Sequence, residues 1–290
     1  MVNMPGNLAT GLSSIENYVA LTAGQYSMGA LILMVSYGAQ VAFALFFLAS
    51  ATQLPPRYRI VPVLSAVVMV SSSISLYREA SLWQETFTFI DGLYVPLTEG
   101  TTFSNVYRYG NWLITVPILL TQLAIAFGLE RSQLHKRAMR MIIAAELMIL
   151  TGLYGQFGEP GDWVRLNVWG VISTVFFIWL IVEVRGVVRL GTASSPAPVA
   201  AWPDRIFYYF LATWGLYPIA YALPQLGTSG DLVVWRQFVF SVADLSTKML
   251  YGIILSRYLL RRSALEGYLP AAEALDTRPQ ASAAASANKD

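Results

Sequence analysis

The chain has 290 residues, of which 56% are hydrophobic and only 12% are charged. Soluble domains carry about twice that share of charged residues, so the composition disfavours a soluble globular fold. The formal net charge of +2 is too small to suggest a nucleic-acid partner. The absence of cysteine excludes disulfides and thiolate chemistry, and a single histidine, His135, excludes a histidine-based metal site or triad.

Seven apolar stretches follow one another along the chain, each close to the roughly 20 residues that a helix needs to cross a bilayer. They cover residues 27–52, 58–82, 104–129, 138–157, 163–190, 204–226 and 232–262. Because these runs are long and continuous, they predict helices and not the alternating strands of a membrane barrel. The predicted fold class is therefore all-α, a bundle of seven transmembrane helices in a lipid bilayer, with a loop at 191–203.

The connections between these stretches differ in charge. Arginine and lysine cluster after the first, third and fifth stretches and at the end of the seventh, whereas the other connections are mostly acidic. By the positive-inside rule, the basic connections lie in the cytoplasm and the N-terminus lies outside. The predicted organisation is an extracellular segment at 1–26, a membrane domain at 27–262 and a disordered cytoplasmic tail at 263–290, rich in alanine and serine.

Lys248 is the only lysine that this assignment places inside a helix, since Lys136 falls in a connection and Lys289 in the tail. Asp244 precedes it by one helical turn and lies on the same face. A lone charge within a membrane helix costs roughly 2.5–3.5 kcal/mol, so the pair requires an explanation. It is either a structural ion pair or an amine that condenses with an aldehyde, with Asp244 balancing the resulting cation.

The third predicted helix carries a polar seam. At about 100° per residue, four polar side chains fall on one side of it: Arg108, Asn111, Thr115 and Gln122. Small polar side chains also join neighbouring membrane helices by hydrogen bonds, which would be a purely structural role. An arginine at the head of the seam, inside the membrane, favours an ion pathway over that interpretation.

Three motifs together resemble those of the microbial rhodopsins. They are Asp244-x-x-x-Lys248 in the seventh helix, Arg108-Tyr-x-x-Trp112-x-x-Thr115-x-Pro in the third and Trp214-Gly-Leu-Tyr217-Pro218 in the sixth. The resemblance covers roughly residues 25–262. It implies all-trans retinal in the core of the bundle, bound to Lys248 as a protonated Schiff base with Asp244 as its counter-charge.

The same resemblance implies roles for other side chains around the retinal. The polyene would lie between Trp112, Trp214 and Tyr217, and Pro218 would kink the sixth helix. The ring would be surrounded by Met148, Gly152, Trp169 and Ser173. The apolar residue at position 119, Leu119, would give a green-absorbing pigment.

The family sets the transported ion with three positions of the third helix, which here are Asn111, Thr115 and Gln122. This combination resembles the chloride-pumping subgroup, whereas outward proton pumps carry carboxylates at the first and usually the third position. Counting charges agrees: Arg108 and the Schiff base are positive, Asp244 is negative, and Asn111 cannot supply a second carboxylate. A buried net charge needs a partner. The sequence therefore predicts chloride held by Asn111, Thr115 and Arg108, with Gln122 on the ion pathway.

The resulting hypothesis is a light-driven inward chloride pump in a bacterial inner membrane, a transporter and not an enzyme. Three alternatives stay open: an outward sodium or proton pump, a photosensory rhodopsin, and a seven-helix protein without retinal. Assembly into a homo-oligomer is also open. Arg236 and Gln237, at the start of the seventh helix, either help anions to enter or cap the helix.

Overall fold

A computed structural model describes residues 14–97, 100–129, 131–159 and 161–275. Within this described part, seven helical spans are long and apolar enough to cross a membrane, as the sequence predicts. They are Ala23–Gln53, Pro56–Thr86, Val106–Ala126, Gln133–Gln156, Trp163–Ser194, Ala197–Leu226 and Gly230–Leu265. The chain is thus a multi-pass membrane protein.

Five spans are built on single α-helices, and the last two are interrupted. The α-helices are α1 Ala23–Ser50, α2 Pro56–Thr86, α3 Val106–Ala126, α4 Arg131–Gln156, α5 Trp163–Ser194, α6 Trp202–Trp214, α7 Leu216–Ala222, α8 Gly230–Asp244, α9 Tyr251–Leu265 and α10 Leu269–Ala274. An antiparallel hairpin of β1 Phe87–Ile90 and β2 Leu93–Pro96 joins α2 to α3. The end of the bundle that carries this hairpin is called the hairpin end below.

Consecutive helices pack side by side from α1 to α6, and α8 closes the bundle against α1 and α7. The outward faces remain apolar, with exposed side chains such as Leu45, Ile74 and Val164, as expected of surfaces that face lipid tails. At the hairpin end, a 3₁₀ turn at Ile15–Tyr18 packs with Trp83 in a second apolar cluster. The N-terminal segment is therefore part of the bundle from Ser14 onward.

The sixth and seventh spans depart from regular helix near the predicted site. The sixth is interrupted at Gly215, between α6 and α7, because Pro218 has no N–H to donate to the Trp214 carbonyl. In the seventh, a π-helical turn at Leu245–Leu250 separates α8 from α9. Such turns are frequent at functional sites, and this one contains Lys248.

The structure corrects three predicted boundaries. The prediction of disorder from residue 263 is wrong for residues 263–275, because α9 continues to Leu265 and α10 packs against it with two buried alanines. The loop predicted at 191–203 is shorter, since α5 extends to Ser194. Lys136 lies in α4 and not in a connection, although its side chain is exposed. Residues 1–13 and 276–290, the ends of the predicted N-terminal segment and tail, lie outside the described residues.

Candidate functional site

Lys248 and Asp244 form a buried ion pair in the middle of the seventh span, each with 1% of its surface exposed. Lys248 Nζ contacts Asp244 Oδ1. The same carboxylate oxygen accepts hydrogen bonds from Trp112 Nε1 at 3.1 Å and from the Tyr217 hydroxyl at 2.9 Å. These donors stabilise a negative charge at Asp244, so a positive charge on the Lys248 nitrogen has a fixed partner beside it.

Arg108 lies next to this pair and is also buried. Its Nη1 donates to Asp244 Oδ2 at 2.8 Å and its Nη2 to Gln237 Oε1 at 3.0 Å. Its third nitrogen, Nε, lies 2.8 Å from Glu79 Oε2. Each guanidinium nitrogen therefore already contacts a side-chain oxygen, and a chloride bound to Arg108 would share the guanidinium with these three groups.

Glu79 is a charged residue of the site that sequence reasoning missed. It lies in α2, is fully buried, and contacts Arg108 at Nε, whereas Asp244 contacts Nη1. A signal was available, because Glu79 continues the buried face of α2 formed by Ser72, Leu76 and Trp83 at helical spacing. With Glu79 ionised, two positive and two negative groups cancel. The predicted excess of one positive charge is therefore wrong unless Glu79 carries a proton.

The three predicted ion-selecting positions share one buried face of α3. Asn111 Nδ2 donates to Ser71 Oγ at 2.9 Å, and the Thr115 hydroxyl donates to the Asn111 carbonyl at 3.0 Å. Gln122 Nε2 donates to the Val61 carbonyl at 2.7 Å. The seam therefore also bonds α3 to α2, as the structural interpretation expected, but it contains no carboxylate that could exchange a proton with Lys248.

An apolar cavity of about 270 Å³ lies between α3, α4, α5 and the sixth span. Seven residues of the predicted chromophore site line it: Trp112, Met148, Gly152, Ser173, Trp214, Tyr217 and Pro218. Two of these, Trp112 and Tyr217, also bond the carboxylate that contacts Lys248. These two residues connect the cavity to Asp244, the partner of Lys248, so the arrangement fits a long apolar group that is attached to the Lys248 nitrogen.

Four residues of the predicted chromophore site do not line the cavity: Lys248, Asp244, Trp169 and Leu119. Trp169 packs against Tyr154, with ring centroids 4.5 Å apart, and Leu119 lies beside Tyr251, whose hydroxyl donates to the Leu119 carbonyl at 3.3 Å. The lining instead includes Tyr221, which sequence reasoning did not identify. Its ring lies over Gly170 and its hydroxyl donates to the Leu166 carbonyl at 2.8 Å. No local sequence pattern marks such a contact between α5 and α7.

Arg236 and Gln237 belong to a buried network at the hairpin end, and the predicted capping role is wrong because Ser229 caps α8. Arg236 is fully buried and donates to both carboxylate oxygens of Glu159, at 2.6 and 2.8 Å, and also to Glu16 at 3.2 Å. Gln237 Nε2 donates to Glu16 Oε1 at 2.8 Å while its Oε1 accepts from Arg108. A continuous hydrogen-bonded chain thus runs from the N-terminal turn to Lys248.

The fold and site define a seven-helix membrane protein with a buried lysine–aspartate pair that is bonded to residues lining an apolar cavity. Residues 28–261 match the family described as bacteriorhodopsin-like protein. A bacteriorhodopsin-II-like protein of Haloquadratum walsbyi is 33% identical over 159 residues, which are 54% of this chain and 63% of that relative. The crystal structure of xanthorhodopsin, titled a light-driven ion pump with dual chromophore, is 29% identical with a TM-score of 0.78 and covers 86% of this chain and 98% of its own.

A second structure, of a thermophilic rhodopsin, is 30% identical with a TM-score of 0.77 over 86% of this chain and 98% of its own. The protein therefore belongs to the bacteriorhodopsin-like family of microbial rhodopsins. Retinal is the chromophore expected of this family. The apolar cavity fits that group, and so does the buried Lys248, whose partner Asp244 is bonded to two of the lining residues.

Proposed function

We propose that this rhodopsin is a light-driven ion pump and that it moves chloride inward. The single observation that carries the choice of ion is the seam of α3. Asn111, Thr115 and Gln122 are buried along one face of α3 and none of them can accept or supply a proton as a carboxylate does. A pump with this seam lacks the usual carboxylates for a proton pathway, and an anion is the mobile charge that its amide and hydroxyl donors suit.

Retinal bound to Lys248 supplies a light-driven bond rotation that changes where the nitrogen's N–H points. The residues around it position the charged groups and supply hydrogen-bond donors. Asp244 keeps the nitrogen positively charged, and Trp112 and Tyr217 hold that carboxylate in place. Asn111 uses one amide hydrogen on Ser71 and keeps the other for an anion beside the nitrogen. Gln122, at the opposite end of the seam from Arg108, offers an amide group but cannot supply a proton.

The proposed direction rests on the loop charges. The basic connections would face the cytoplasm of a bacterial cell and the hairpin end would face outward. Chloride would then enter from the hairpin end and leave towards the basic connections. The buried chain from Glu16 to Arg108 closes the hairpin end in this structure, so entry requires these contacts to part.

A second candidate is an outward proton pump, and one observation favours it. Glu79 and Asp244 together neutralise Arg108 and Lys248, so the dark site need not hold an anion. In that case Asp244, which contacts Lys248 directly, would accept the proton. Against this candidate, Arg108, Trp112 and Tyr217 all donate to Asp244 and so stabilise its ionised form.

A halide titration in the dark separates the candidates. An anion beside the positively charged nitrogen stabilises the ground state of the pigment, so adding chloride to halide-free protein in sulfate should produce a saturable blue shift. Sulfate at the same ionic strength serves as the control. A spectrum that is indifferent to chloride from zero to molar concentration, at every pH tested, would contradict the chloride proposal.

A further inference from the structure

Glu79 is a buried carboxylate that the proposed transport cycle does not use. It is fully buried within the second span, and its Oε2 lies 2.8 Å from Arg108 Nε. Neither carboxylate oxygen has a hydrogen-bond partner in the described residues, and neither does Arg108 Nε, because the N–H is not aimed at the oxygen. An ionised carboxylate without hydrogen bonds is costly in a low-dielectric interior, so a proton on this side chain would remove a costly buried charge.

The charged groups around Glu79 come from three elements. Arg108 of α3 touches it directly, and beyond Arg108 lie Asp244 and Lys248 of the seventh span. Glu16 of the N-terminal turn is a further carboxylate of the same buried network and is bonded to Arg236. The neighbouring α1 contains no carboxylate, lysine, arginine or histidine. The net charge of the site therefore depends on whether Glu79 is ionised.

We propose that Glu79 binds a proton when chloride binds at the site, so that chloride and a proton are taken up together in the dark; this rests on the proposed chloride function. With Glu79 ionised, the site around Lys248 is neutral and an added anion leaves one buried negative charge in excess. A proton on Glu79 restores neutrality and leaves Arg108 with Asp244 as its only contacting carboxylate. The proton would lie on Oε1, because Oε2 is the oxygen that lies 2.8 Å from Arg108 Nε.

A purely structural role for Glu79 makes a different prediction. If its carboxylate only fixes the orientation of Arg108, it stays ionised in both states and chloride affinity does not depend on its titration. Linked binding instead requires the chloride dissociation constant to rise with pH wherever free Glu79 is ionised. The limit is about tenfold per pH unit when one proton accompanies one anion.

The test is a chloride titration of the absorption band of the retinal-loaded protein across a pH series, using only the coloured fraction. The native protein should lose affinity as pH rises, and chloride added in the dark to an unbuffered suspension should make the medium more alkaline. Glu79→Gln should bind chloride with an affinity independent of pH and take up no proton. Glu146→Gln removes another carboxylate with an unpartnered oxygen, in α4, and should behave as the native protein does.

The outcomes separate the two proposals. A halide shift in the native protein with an affinity that does not change with pH would overturn the role of Glu79 and leave the chloride function standing. A pH dependence that persists in Glu79→Gln would also overturn it, since hydroxide competing for the anion site would then explain the effect. No halide shift at any pH, in either protein, would overturn the chloride function and this inference with it. If Glu79→Gln does not fold, a native affinity that does not change with pH still overturns the role of Glu79.

Discussion

At the scale of single residues, we expect light absorption to depend on Lys248. It is the only buried lysine in the described residues, and its partner Asp244 accepts hydrogen bonds from Trp112 and Tyr217, which line the apolar cavity. We expect Lys248→Ala to remove the visible absorption band completely after incubation with retinal. Lys136→Ala, which changes an exposed lysine of α4, should leave the band intact. A coloured Lys248→Ala protein would contradict the assignment, because no other lysine is buried in the described residues.

The seam of α3 makes a graded prediction about chloride affinity. Asn111 has one amide hydrogen left for an anion, whereas the hydroxyl hydrogen of Thr115 is used on the Asn111 carbonyl. We therefore expect Asn111→Ala to weaken chloride binding by about 1–3 kcal/mol, the cost of an unsatisfied polar contact. Thr115→Val should weaken it less. Asn111→Asp should expel the anion by placing a fixed carboxylate beside Lys248.

The dissociation constant of chloride is measured for all three variants at one pH, from the halide-induced spectral shift. Equal losses for Asn111→Ala and Thr115→Val would show that the hydroxyl turns towards the anion when it binds. Native affinity in Asn111→Asp would show that the anion lies elsewhere.

Much of the site could be predicted from the sequence, because three motifs fix the residues nearest to the Lys248 nitrogen. Glu79 could not be placed in the same way. It stands beside Arg78 near the end of a span, where charges are ordinarily solvated. Arg78 is indeed exposed and pairs with Glu85, while Glu79 turns inward to Arg108. Only the rotation of α2 about its axis distinguishes the two, and that rotation is set by packing.

At the scale of elements, the N-terminal turn, the α4–α5 connection and α8 are joined through one arginine. Arg236 is fully buried between Glu16 and Glu159. Removing one partner of a buried ion pair costs about 3–5 kcal/mol, because it leaves uncompensated charge. We expect Arg236→Met to lower the free energy of unfolding by about that amount, measured by denaturant-induced loss of the visible band.

Arg185→Met is the matched control for this prediction. Arg185 pairs with Asp204 at the other end of the bundle, and both side chains are about one-third exposed. Partly exposed pairs contribute about 0–1 kcal/mol, so the change should be small. If both variants lose the same stability, the network at the hairpin end does not hold these elements together.

Two features of the helices could not be predicted from the pattern of apolar residues along the chain. The composition of residues 263–275 predicts disorder, yet α10 forms because Pro270 starts a helix and its alanines pack against α9. The π-helical turn around Lys248 has no sequence signal at all. A π-helical turn has more residues than an α-helical turn, so it changes the direction in which the Lys248 side chain points relative to Asp244.

At the scale of the whole molecule, seven apolar runs were enough to predict the bundle, because backbone groups in a bilayer must be paired within each span. The identity of the transported ion belongs to the same scale, since it depends on the balance of charge across the whole pathway. The polar side chains of the α3 seam favour an anion. The four charged groups at the site sum to zero, so a bound anion is balanced only if Glu79 takes up a proton.

The sign of the light-induced pH change in a cell suspension tests the central claim most directly. Inward chloride transport makes the cell interior more negative, which draws protons in passively. In NaCl, illumination should therefore make the medium more alkaline, a protonophore should enlarge this change, and replacing chloride by sulfate should remove it. Acidification of the medium that persists in sulfate and disappears with protonophore would show outward proton pumping and contradict the account.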